Sequence, residues 1–238
     1  MNYITDNYID EYIAKTMFDK NKEEENNHKS SGKLSAGMLG MPLQWQILKI
    51  KGIPQKEFDS YTLRKFQRGK DVEKWFVGVL PNVIETQKFL EYRGCIGYCD
   101  AVVDTSTHNF KQGIIPHECK SVSNEKFKKI KSSKGADRSH KLQACLYALA
   151  LGKDYFAIDY IASDDYRIMT MVYPVADYKD EVDGIIDRFN QQMATGFVPV
   201  FIPEEIWQSS EKYSNYPEFA KLNQEEINNL IKEYESKT

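Results

Sequence analysis

The stretch "PHECKSV", residues 116–122, sets Glu118 two places before Lys120. On a strand that spacing puts both side chains on one face. Upstream, "GYCD", residues 97–100, ends on Asp100, and a polar run, "DTSTHNFKQG", separates the two segments. If the turn centres near Asn109, the segments form an antiparallel hairpin in which Asp104 opposes Ile114 and Asp100 opposes Glu118. Opposed residues share a face with Cβ atoms about 5 Å apart. Two carboxylates so placed repel unless a cation lies between them, and hard oxygen ligands suit Mg²⁺. Lys120 falls on the same face. Cys119 points to the other side, into the core, with its backbone carbonyl still able to join a coordination shell. A one-residue slip breaks this alignment. Pro116 lacks an N–H, so a bulge or an edge position is expected there.

A Glu-x-Lys triplet alone is common on solvated sheets, so its neighbours matter. Gly97 and Asp100 make a Gly-x-x-Asp. Gln143 and Tyr147 in "QACLY" are four apart, on one face of a helix. Gly69 and Glu73 lie in "RGKDVE", on an earlier helix. Taken in order across roughly residues 35–152, these motifs resemble those of the PD-(D/E)XK nucleases, in the RecB-like and phage-type exonuclease branch. The CRISPR-associated iron–sulfur exonucleases are related. The segment "KLSAGMLGMPLQWQILKIKGIP" is similar to the helical entry of that family.

The resemblance implies an α/β, restriction-endonuclease-like core with a central mixed β-sheet flanked by helices. It implies a metal-dependent deoxyribonuclease, above all an exonuclease of recombination, repair or replication. A structure-specific or restriction-type endonuclease, or an inactive DNA-binding subunit, are the alternatives. On this pattern Asp100, Glu118 and the Cys119 carbonyl hold Mg²⁺ or Mn²⁺. Lys120 orients or deprotonates the attacking water and stabilises charge. Glu73, standing where RecB-like members carry His, reaches a second metal or a metal-bound water; its alternative is a solvated acid pairing with Lys70 or Lys74. Gln143 and Tyr147 orient the DNA strand or Lys120, or form a polar pair on the helix rim. The iron–sulfur members place one cysteine before the core and a cluster after it. Here Cys95, Cys99, Cys119 and Cys145 all lie inside it, so no iron–sulfur cluster is expected. His108, His117 and His140 lack zinc-ligand spacing with them.

The substrate must also be held. Net charge is −3, so an anionic partner has to meet a local basic patch. Residues 125–141 carry Lys126, Lys128, Lys129, Lys131, Lys134, Arg138 and Lys141 against Glu125 and Asp137. This run reads as a loop bordering the site, either a phosphate track or a solvated surface. Arg64, Lys65 and Arg68 extend it. Tyr61, Tyr92 and Phe127 can stack on unpaired bases or simply pack. The expected partners are single- or double-stranded DNA ends. No P-loop is present, so unwinding needs a helicase or recombinase partner. The acidic start has no signal-peptide pattern, and the longest apolar run, "LQACLYALALG", is too short for a membrane. A cytoplasmic protein with reduced thiols is expected.

Elements must position these residues. Residues 1–32 read as an acidic helix with Tyr8, Tyr12, Ile13 and Met17 on one side, then a polar linker from residue 20. Residues 33–205 read as the nuclease domain and 206–238 as a helical tail. Ser35 is expected to cap a helix that Pro42 kinks. A long helix opens at Asp59 or Ser60, with Leu63, Phe66, Val72, Phe76 and Val79 inward, and stops at Pro81. Three strands, a helix with Leu142, Cys145, Leu146 and Leu149 inward, two strands and two helices complete the order.

Overall fold

The computed structural model describes residues 8–27, 31–201 and 214–236. Five strands form one mixed sheet in sequence order: β1 (Val83–Tyr92), β2 (Cys95–Asp104), β3 (Ile114–Val122), β4 (Tyr155–Ala162) and β5 (Ile168–Pro174). All neighbours are antiparallel except β3 and β4. A parallel joint needs a crossover. Here it is α4 (Asn124–Ser133) followed by α5 (Arg138–Leu151). The other helices among the described residues are α1 (Tyr8–Asn27), α2 (Leu43–Ile50), α3 (Ser60–Val79), α6 (Lys179–Thr195) and α7 (Gln224–Glu235). The fold is thus α/β, a central mixed sheet flanked by helices, as expected.

Alternation along β4 divides the interior. Ile158, Tyr160 and Ala162 join a large cluster with Leu142, Leu146 and Tyr147 of α5 and Val182, Ile186 and Phe189 of α6. Ile161 joins a smaller cluster with Val72 and Phe76 of α3 and Cys119 of β3. Helices α5 and α3 therefore press on β3 from its two sides. The C-terminal α7 buries Ile227 and Ile231 in the large cluster. Asp59 caps α3 by accepting from the Thr62 N–H at 2.7 Å. No helix among the described residues is long and apolar enough to cross a membrane.

Several expectations are corrected. The linker expected from residue 20 is helical as far as Asn27, because its Lys and Glu residues suit a helix; its residues 28–30 lie outside the described residues. Ion pairs tie α1 to the rest of the chain: Arg64 of α3 meets Asp10 at 2.8 Å and Glu57 meets Lys22 at 3.0 Å. The half-buried stripe of α1 is Ala14, Met17, Phe18 and Asn21, while Tyr12 and Ile13 are exposed. Of the apolar residues assigned to α3, Leu63, Val72 and Phe76 are buried, but Phe66 and Val79 are exposed. Ser35 caps nothing. It bridges to Ile96 in parallel, and a short 3-10 turn, Ala36–Met38, precedes Pro42, which stands at the start of α2. The basic loop contains a helix, α4, capped by Ser123 and anchored by buried Phe127 and Ile130. Phe127 is therefore not available for stacking on a base. Pro116 makes no bulge with β2, where it opposes Val102 in regular register. The β3–β4 pairing begins one residue later, at His117↔Ala157, so Pro116 sits where β3 is paired on one side only.

Candidate metal centre

The β2–β3 ladder pairs Asp104 with Ile114, Val103 with Ile115, Val102 with Pro116 and Ala101 with His117. This is the expected register. Asp100 and Glu118 are the next residues on each strand, one step beyond the last pair. There a side chain takes over the linkage: the Cys119 N–H donates to Asp100 Oδ2 at 2.7 Å. The strands part at this point, and the site lies in the fork.

Lys120 donates to Glu118 Oε1 at 2.6 Å and to Gln143 Oε1 at 3.1 Å. Gln143 in turn donates to the Tyr147 hydroxyl at 3.1 Å. The helical pair is thus joined to Lys120 by a hydrogen-bond chain rather than lying apart on an open rim. Gly97 explains its own place in the motif. A Cβ there would stand 2.8 Å from Tyr147 Cε1 and 2.9 Å from the hydroxyl, so only glycine lets the ring seat on β2. Glu73 arrives from α3. Its Oε1 accepts from Gln87 Nε2 at 2.8 Å, and the same nitrogen lies 3.4 Å from Asp100 Oδ1.

Asp100 and Glu118 are buried, and Lys120 is half-buried. Burial pushes the Glu118 carboxyl up to about 8, with Asp100 and Glu73 adding repulsion and Lys120 opposing it. Burial also raises Asp100, against the pull of the Cys119 N–H and Lys120. Burial and then Asp100 raise Glu73. For Lys120, burial disfavours the charge, but Glu118 and Asp100 outweigh it, so the ammonium persists. Three acids resist ionising together around one cation. Glu118 Oε2 is buried without a hydrogen-bond partner.

These features fit a hard divalent cation. Glu118 Oε2 is a carboxylate oxygen with nothing to bond, and Asp100 stands beside it with the Cys119 backbone. Among the described residues no three His, Cys, Asp or Glu side chains are gathered so as to hold a metal by themselves. Water and substrate oxygens would complete the shell, as is usual for Mg²⁺. The four cysteines are free and buried, and burial pushes the Cys95 and Cys145 thiols up to about 12.

The expected DNA-binding residues are only partly gathered. Lys126, Lys128, Lys129, Lys131 and Lys134 are exposed on or just after α4. Lys126 pairs with Asp137 at 2.5 Å, and Arg138 pairs with Glu181. Lys141 lies over the Tyr178 ring at 4.9 Å. Arg64 is held by Asp10, while Arg68 is exposed on α3. Two residues at the site escaped the sequence reading. Gln87 carries no motif signal on a strand of mixed polarity. His140, one turn before Gln143, bonds the Tyr160 hydroxyl at 2.8 Å and is held neutral, pushed down to about 4 by burial and by Lys120. Its i, i+3 spacing from Gln143 was the available signal.

No protein-family model matches the chain, and no curated protein matches it. Among solved structures it is similar to an alkaline exonuclease from Laribacter hongkongensis, with 10% identity and a TM-score of 0.47 over 76% of this chain and 95% of that one. It is similar to the protein SSO0001 at 17% identity and a TM-score of 0.48, over 90% and 98% of the two chains. A phage related exonuclease from Haemophilus somnus 129PT gives 14% identity and a TM-score of 0.43, over 72% and 98%. Such distant likeness is a matter of outline. What the site can do is decided by its side chains.

Proposed function

We propose that the protein is a divalent-metal-dependent nuclease that hydrolyses phosphodiester bonds in DNA, working as an exonuclease. One observation carries this: Asp100, Glu118 and Lys120 converge in a fork of the sheet, with Glu118 Oε2 buried and unpartnered. The exonuclease assignment follows the resemblance of the motif order.

Asp100, Glu118 and the Cys119 carbonyl would hold Mg²⁺ or Mn²⁺. The ion supplies Lewis-acid activation of a phosphate oxygen and of water. Lys120, kept as an ammonium, cannot accept a proton. It donates hydrogen bonds to the attacking water and to the charge growing on the phosphate. Gln143 aims that ammonium, and Tyr147 holds Gln143. Glu73 adds a carboxylate at the Asp100 side. The lysines of α4 would carry the strand towards the site. A helicase or recombinase would present unwound ends.

The test is incubation with Mg²⁺ or Mn²⁺ on end-labelled linear and on covalently closed circular DNA, single- and double-stranded. Loss of linear substrate alone is expected, and it should vanish in Lys120→Ala. Nicked circles would make the enzyme an endonuclease. No cleavage by the wild type, or full cleavage by the variant, would refute the assignment.

A further inference from the structure

Gln87 lies in the middle of β1 with φ of 48°, in the left-handed region. Side chains other than glycine avoid that region, above all inside a strand. No slip in pairing accounts for it. Thr86 pairs with Ala101 and Lys88 with Cys99, one register on both sides, and the irregularity of β1 lies between Val83 and Glu85. What the conformation achieves is aim. The Gln87 amide nitrogen donates to Glu73 Oε1 at 2.8 Å and stands 3.4 Å from Asp100 Oδ1. One neutral donor thus bridges carboxylates brought by a helix and by a strand.

The side-chain type suits the task. An amide NH₂ offers two donors and no charge. It can hold two anions together without cancelling the charge that draws a cation. A lysine there would bind the same oxygens and repel the ion. Glu73 is half-exposed, so without a tether its carboxylate is free to turn towards solvent.

We propose that Gln87 is a positioning residue. Its amide holds the Glu73 carboxylate against Asp100, so that both are assembled for a divalent cation before it arrives. This rests on the proposed metal site. Partners of this kind commonly change metal affinity by about 10–100-fold.

The experiment is calorimetric titration of Mn²⁺ into the full chain, wild type against Gln87→Ala and Gln87→Gly, with thermal midpoints in EDTA. Gln87→Gly removes the amide and also frees the backbone, so folding is not at risk. Mn²⁺ affinity should fall about tenfold in both variants, while Gln87→Gly keeps or exceeds the wild-type midpoint. If Gln87→Gly binds Mn²⁺ as the wild type does, the positioning role is overturned. A midpoint that falls while the affinity holds overturns it as well. If the wild type binds no Mn²⁺, the metal site itself fails, and this inference with it.

Discussion

Replacing Glu118 by Gln should stabilise the metal-free protein, and more so as pH rises. The buried carboxyl titrates near 8 in the folded chain against 4.5 unfolded. Between those values the folded state holds a proton that the unfolded state has released. Stability therefore falls as pH rises through this window. Integrated from near pH 5 to near pH 7, the loss is about 2–3 kcal/mol. Glutamine has no such proton to lose. The amide oxygen of the variant can still accept from Lys120, as the protonated Glu118 carboxyl does, so this bond changes little over the range. The comparison is thus between two pH values rather than two proteins. Urea unfolding in EDTA, near pH 5 and near pH 7, should show the variant gaining about 2–3 kcal/mol on the wild type at the higher pH. Added Mn²⁺ should reverse the order near pH 7 by stabilising the wild type alone. An equal difference at both pH values, or a variant that loses ground as pH rises, would refute the reasoning.

Further outcomes follow from the same geometry. Gly97→Ala drives a methyl group into Tyr147 and should cost about 1–3 kcal/mol by thermal unfolding, with cleavage impaired; unchanged stability would contradict the packing. Changing Lys128, Lys129, Lys131 and Lys134 together to Ala should flatten the salt dependence of DNA binding by up to about 3–4 in log–log slope, measured by fluorescence anisotropy. Arg138→Ala should barely move that slope, because Glu181 already holds the guanidinium. Cys119→Ala should retain cleavage in the linear-DNA assay, since only the backbone of this residue faces the site.

The hairpin was legible because its two segments alternate and its turn is polar, which leaves few registers that bury the right face. Glu118, Lys120, Gln143 and Tyr147 were legible as pairs because strand and helix periods place them together. Other parts were not. The run after β3 looks like a solvated loop, yet Phe127 and Ile130 at i, i+3 fold it as a helix against the sheet. The polar run after residue 20 likewise continues α1, where residues of fair helix propensity are carried by a helix that docks on α3. The stripe of α1 that faces inward is hard to place from sequence because Tyr12 and Ile13 are more apolar than the Ala14 and Asn21 positions that turn inward.

Local rules of alternation, spacing and turn chemistry act over a few residues, and these settled the strands, the paired acids and the lysine. Only the tertiary structure decided where the β2–β3 ladder ends, and so where Asp100 bonds to a backbone rather than to a cross-strand neighbour. It alone decided that Gly97 exists to seat Tyr147, fifty residues away. It alone bent Gln87 into a left-handed turn of the backbone to reach Glu73. Each of these depends on what lies across a packed interface, and the identity of that neighbour is not written within reach of the residue itself.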